Sequence, residues 1–112
     1  MKKALDGLSA DYRHLQQRLA RTGWIALGSL LERNRPGQGG PRYQWSRRVD
    51  GKTITVALSA EQFRWLKAAI ANQRQVQAIL ARMHQLTLHH LWKKLPEAAR
   101  RKRLSNKTLG LN

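Results

Sequence analysis

The sequence predicts an α+β fold: a short N-terminal helix, a small antiparallel sheet of about three strands with an Asp-Gly hairpin, a long C-terminal helix and a basic tail. Three observations predict it. Alternating residues flank Asp50-Gly51 on both sides, the pattern of a tight hairpin. From Ala60 onward the chain runs without Gly or Pro until Pro96, the pattern of one long helix. Upstream, Tyr12, Leu15 and Leu19 recur at helical spacing.

Taken in order, residues 9–21 read as the first helix. Ser9 caps its first turn, and Gly23 is expected to end it in a left-handed conformation. Residues 24–32 read as a strand because the run is apolar and lacks a helical charge pattern. Asn34-Arg-Pro-Gly-Gln-Gly-Gly-Pro41 reads as a loop.

Residues 43–58 form the hairpin. A two-residue type I′ turn at Asp50-Gly51 sets Val49 opposite Lys52, Arg47 opposite Ile54, Trp45 opposite Val56 and Tyr43 opposite Leu58. Tyr43, Trp45, Val49, Ile54, Val56 and Leu58 then share one face, read as core. Gln44, Ser46, Arg48, Thr53 and Thr55 take the other. Arg47 falls on the apolar face and must reach its edge.

Ser59 and Gln62 make a capping box for the main helix, with Leu58 and Phe63 as its hydrophobic staple. The helix is expected over residues 60–95, with Phe63, Leu66, Ile70, Val76, Leu80 and Met83 as a slowly drifting apolar seam. Its stretch beyond residue 80 is longer than a small sheet can cover, so it is expected to bind a second protomer, another protein or nucleic acid. Pro96 is expected to open a short helix over residues 97–104, and the last eight residues read as mobile. The division is one domain over residues 1–95 and a basic tail over residues 96–112.

The strongest functional signal is charge. The chain has 22 Lys and Arg against 6 Asp and Glu, a formal +16 in 112 residues. Such a domain repels itself, which implies a polyanionic partner. Nucleic acid fits, because neutralising phosphates releases condensed counterions. Seven bases lie in the last twenty residues: Lys93, Lys94, Arg100, Arg101, Lys102, Arg103 and Lys107. Arg64, Lys67, Arg74 and Arg82 fall within one arc of the long helix, and only Glu61 supplies an acid between Gly51 and Leu95. Arg42, Arg48 and Lys52 cluster on the hairpin, where a two-stranded ribbon can meet a groove. These fourteen are the candidate nucleic-acid contacts. Arg100–Arg103 also matches a nuclear-localisation pattern, which arises freely in basic chains.

Other classes are disfavoured. The absence of cysteine excludes disulfides and thiolate metal sites. The six carboxylates are dispersed among turns, strand ends and first turns of helices, unlike the converging set a two-metal nuclease needs. No P-loop, nucleophile elbow or HExxH pattern occurs. His84, His89 and His90 stand at spacings of five, six and one, not the four of a helical zinc pair. No catalytic residue, metal ligand or cofactor is expected. The Met-Lys-Lys start is followed by no apolar stretch, and the longest apolar run, residues 24–31, falls short of the roughly 20 residues of a membrane span. A cytoplasmic protein is expected.

Gly28-Ser-Leu-Leu-Glu-Arg33, the glycine loop, Pro41-Arg-Tyr-Gln-Trp-Ser-Arg-Arg-Val-Asp-Gly-Lys-Thr53 and the helix from Ser59 together resemble a family of small uncharacterised bacterial proteins. Their shared plan is a strand ending in Glu-Arg, a loop, a Gly-Pro-Tyr hairpin with a Gly-Lys turn and a long helix. The resemblance covers about residues 22–80. Some relatives are associated with transposase-type genes, which implies a mobile-element context. Many carry cysteines in the loop suited to zinc, and residues 34–40 here have none, so a metal role is not implied for this chain.

The functional expectation is therefore a non-enzymatic nucleic-acid-binding protein, a DNA-binding accessory factor of a mobile element. DNA is preferred over RNA on the mobile-element context alone. Two alternatives stand beside it: an RNA-binding ribonucleoprotein subunit, and an adaptor whose long helix assembles a larger machine. A membrane-surface role is disfavoured because the tail has few bulky apolar anchors beyond Leu104, Leu109 and Leu111.

Overall fold

In the computed structural model, which describes residues 7–33, 40–98 and 103–111, the elements run α1 (Ala10–Ala20), β1 (Ser29–Glu32), β2 (Tyr43–Val49), β3 (Lys52–Leu58), α2 (Ala60–Lys94) and α3 (Asn106–Leu109). This is the expected α+β arrangement. The loop residues 34–39 lie outside the described residues, as do Arg100, Arg101 and Lys102. The chain forms two compact units, Gly23–Gln75 and Met1–Thr22 with Val76–Asn112, and α2 contributes to both.

The first unit is built on the hairpin. Asp50 and Gly51 have φ of 50° and 79°, the paired left-handed conformations of a type I′ turn. The register follows: Val49 pairs with Lys52, Arg47 with Ile54, Trp45 with Val56 and Tyr43 with Leu58. On the polar face Ser46 and Thr55 exchange a hydrogen bond at 3.0 Å. β1 adds antiparallel to β2, with Leu30 opposite Trp45 and Glu32 opposite Tyr43, giving the order β1-β2-β3.

The strand expected over residues 24–32 is shorter than the sequence suggests. Gly28, at φ +116°, turns the chain out of the extended region. Before it, the backbone is bonded to α2 and, at the Leu27 carbonyl, to the Trp45 side chain of β2. The Ala26 amide donates to the Ala69 carbonyl at 3.2 Å, and the Asn72 side-chain amide donates to the Trp24 carbonyl at 2.8 Å. Gly28 is also required by close approach. A Cβ there would overlap the Trp45 indole nitrogen and stand 2.7 Å from the Ser46 carbonyl oxygen.

α2 starts where the capping box predicts. The Ser59 amide donates to Gln62 Oε1 at 2.9 Å, and the Gln62 amide donates to Ser59 Oγ at 3.1 Å, satisfying two donors of the first turn. Phe63, Ala69 and Ile70 of α2 are buried, and Tyr43 meets Phe63 with ring centroids 4.6 Å apart. The core is thin. Trp45 is half-buried, and Ile54 and Val56, expected in the core, are 40% and 41% exposed. Trp45, Val56 and Leu58 line a cleft with Trp65 and Leu66 of α2, so the apolar alternation fixes a face without guaranteeing a cover for it.

The second unit holds α1, the later part of α2 and the C-terminal segment. Ser9 caps α1 as expected, its Oγ accepting from the Tyr12 amide at 3.1 Å, and Leu15 is buried. Gly23 does not end the helix: the C-cap is Arg21 in right-handed conformation, closed by Arg21 and Thr22 amides donating to Arg18 and Leu19. Gly23 instead makes room for a neighbour in its own unit, since a Cβ would stand 3.2 Å from Asn72 Nδ2.

Along this part of α2 the seam departs from the expected one. Ile79 is buried, whereas Leu80 is 49% exposed. Val76, Ile79, Met83 and Leu86, alternating three and four apart, are the positions turned inward. Leu80 stands one place off that spacing.

The C-terminal expectation is also corrected. Residues 95–98 carry no helix, so Pro96 does not open one in the part of residues 97–104 that is described. The short helix is α3, capped by Ser105, whose Oγ accepts from the Thr108 amide at 3.2 Å, and closed by left-handed Gly110. Rather than projecting as a mobile end, this turn is bonded to α2. Gln85 donates to the Gly110 carbonyl at 2.8 Å and Trp92 Nε1 donates to the Leu109 carbonyl at 3.2 Å. The stretch of α2 beyond residue 80 is thus covered in part by its own chain.

Candidate nucleic-acid interface

Within the first unit, α2 sets Arg64, Lys67 and Arg74 on its exposed side. Helical geometry, about 100° per residue, places Lys67 and Arg74 within about 20° of each other and Arg64 about 60–80° away. Lys67 and Arg74 line a cleft of ≈ 380 Å³ with Gly28, Leu30 and Glu32. β1 forms the wall opposite their stems. Ile70 and Phe63 at its floor belong to the core, so the cationic ends mark the outer rim of the sheet–helix junction.

The hairpin cations are exposed but already engaged. Arg42 Nη2 donates to Glu32 Oε2 at 3.2 Å, joining the ends of β1 and β2, and its guanidinium lies 5.3 Å from the Tyr43 ring centre. Arg48 donates to the Gly51 carbonyl at 2.6 Å and to Thr53 Oγ1 at 3.4 Å, holding the turn. Lys52 is exposed opposite Val49. Arg47, on the apolar face, meets the edge problem by stacking over the Trp45 ring at 5.2 Å.

In the second unit Arg82, Lys93, Lys94, Arg103 and Lys107 are exposed. Lys93 and Lys94 line a cleft of ≈ 500 Å³ with His89, His90 and Tyr12, where the N-terminal end of α1 faces the C-terminal end of α2. Among the described residues no three His, Asp or Glu side chains gather into a metal-binding group. Nor is any helix among them long and apolar enough to cross a membrane. In the first unit the exposed candidate cations lie on the α2 face and the hairpin; in the second they lie on the later part of α2 and on the segment of the α3 turn.

Two prominent surface residues escape a reading based on charge. Trp24 is 75% exposed and Trp65 is 53% exposed, and their rings stand 6.2 Å apart at 44°. The signal available for Trp65 was its position off the Phe63–Leu66–Ile70 seam. For Trp24 there was none, because an apolar strand reading hides which residues lack a cover.

Compared with protein-family models, with curated proteins and with solved structures, this chain has no match in any of the three.

Proposed function

We propose that this protein binds DNA without catalysis, through its phosphates, as an accessory factor of a mobile element. The observation that carries the reading is the excess of cations over carboxylates, with Arg64, Lys67, Arg74, Arg82, Lys93, Lys94, Arg103 and Lys107 exposed among the described residues. Twenty-two Lys and Arg stand against six Asp and Glu, a net excess of sixteen positive charges. Arg64, Lys67 and Arg74, all exposed on one side of α2, are the centre of the surface. A phosphate backbone supplies the missing counter-charge, and the release of its condensed ions drives binding that is indifferent to sequence. Arg42 and Arg48 hold the hairpin and offer their remaining donors. The mobile-element context rests on the resemblance of residues 22–80 alone.

The test is a triple substitution, Arg64→Gln, Lys67→Gln and Arg74→Gln, measured by polarisation of a labelled duplex. All three are exposed, so the fold should persist. Affinity should fall about tenfold or more, uniformly across sequences, with a salt slope smaller by about three. Unchanged affinity would remove this face from the interface. Preference for an RNA of the same length, or no binding to either polymer, would overturn the DNA reading.

A further inference from the structure

We infer that Trp24 and Trp65 form a base-stacking platform, so that this protein holds single-stranded DNA through its bases as well as its phosphates. The inference rests on the DNA-binding reading and names the substrate that reading leaves open.

The first ground is that Trp24 is exposed on a fixed backbone. Its carbonyl accepts from the Asn72 side chain at 2.8 Å, and two residues later Ala26 donates to the Ala69 carbonyl at 3.2 Å. The segment is fastened to α2, yet the indole is left 75% exposed. A fold with so thin a core gains from every apolar side chain it covers. An uncovered indole on a pinned segment points to an external partner.

The second ground is continuity. Trp65 stands beside Trp24 at 6.2 Å and also lines a cleft of ≈ 540 Å³ with Trp45, Val56 and Leu58. Trp45 carries the Arg47 guanidinium at 5.2 Å. Three of the four tryptophans of the chain and a stacked arginine thus succeed one another on one unit. The 44° tilt between Trp24 and Trp65 leaves no parallel slot between them, so each ring offers its own outer face. One carboxylate, Glu61, lines the cleft.

Charge decides between occupants. A second copy placed on this face would bring +16 against +16. A single strand instead brings flat aromatic bases for the indoles and phosphates for the cations. Arg64 is adjacent to Trp65 on α2, on the arc between the indoles and the Lys67–Arg74 rim. A strand stacked on Trp65 meets Arg64 first. Duplex DNA keeps its base faces buried in its own stack and cannot use the platform.

The experiment compares a labelled oligo(dT) with a duplex of equal length, on the wild type and on Trp24→Ala/Trp65→Ala, at one salt concentration. The expected result is a loss of about tenfold or more for oligo(dT) with duplex affinity changed less than about threefold. Trp24→Phe/Trp65→Phe keeps flat rings and should restore most of the oligo(dT) affinity. It also serves should the alanine variant lose its circular-dichroism signal. Equal losses on both DNAs, no loss on oligo(dT), or failure of the phenylalanine variant to bind better than the alanine variant would each overturn the platform. A wild type that sediments as a dimer and becomes monomeric on the alanine substitutions, with DNA affinity unchanged, would assign the face to a second copy. Wild type that binds neither DNA would overturn the DNA-binding reading itself, whereas the preceding outcomes leave that reading standing.

Discussion

Trp92 donates its indole N–H to the Leu109 carbonyl across 3.2 Å, which ties the C-terminal turn to the helix that carries Trp92. Gln85 makes the parallel contact to Gly110 at 2.8 Å. Removing residues 105–112 should therefore cost stability, not merely charge. Two hydrogen bonds at about 0.5–1.5 kcal/mol each predict a loss of about 1–3 kcal/mol in denaturant melts. Gly110→Ala should reproduce part of it, because φ is +77° and a Cβ would stand 2.9 Å from Leu88 Cδ1. Equal melting midpoints for the truncated and full chains would show that the turn contributes nothing.

Two glycines with positive φ should respond differently to the same change. Gly51→Ala meets nothing within 4 Å and bears only the left-handed backbone, so about 1–2 kcal/mol is expected. Gly28→Ala bears that strain and also collides with the Trp45 indole and the Ser46 carbonyl. About 3 kcal/mol or more is expected, from backbone strain and overpacking together. Urea midpoints of the two variants check the order.

The hairpin predicts a second contrast. Trp45→Ala removes a half-buried ring and its 2.8 Å bond to the Leu27 carbonyl. Incomplete burial places the expected loss at about 2–3 kcal/mol, below the range of a fully buried aromatic. Arg48→Ala removes exposed bonds to Gly51 and Thr53 and should cost about 1 kcal/mol or less. A Trp45→Ala protein as stable as the wild type would place this ring outside the core.

Ser59→Ala isolates the capping box. It removes the acceptor for the Gln62 amide while leaving the Gln62 side chain free to bond the residue 59 amide. The expected cost is about 1 kcal/mol, and Ser59→Asp should recover most of it. Thermal melts of the two variants decide whether the cap matters as much as its geometry suggests.

The elements legible in the sequence are those fixed by local rules. Asp50-Gly51 dictates a turn whose twist sets the register, and Ser59 with Gln62 dictates a helix start, each within a few residues. What escaped depended on distant partners. Residues 24–27 look like a strand by composition, yet their backbone bonds go to Ala69, Asn72 and the Trp45 side chain, all far along the chain. Gly23 reads locally as a helix stop, and the neighbour it makes room for, the Asn72 side chain, lies far along the chain. The α3 turn had local signals, Ser105 and Gly110, but they sit amid a basic segment that reads as solvated. For the interface, charge was countable from the sequence. The engagement of Arg42 with Glu32, and the exposure of Trp24, were not.

The central claim, that exposed cations hold a phosphate backbone, is tested most directly by the salt dependence of duplex affinity. One phosphate contact for each of Arg42, Arg48, Arg64, Lys67 and Arg74, about five in all, predicts a slope of about −4.5 in log K against log salt, a fall of roughly 500-fold between about 50 and 200 mM. Polarisation of a labelled duplex across that range measures it. A slope near zero, at any affinity, would contradict the account.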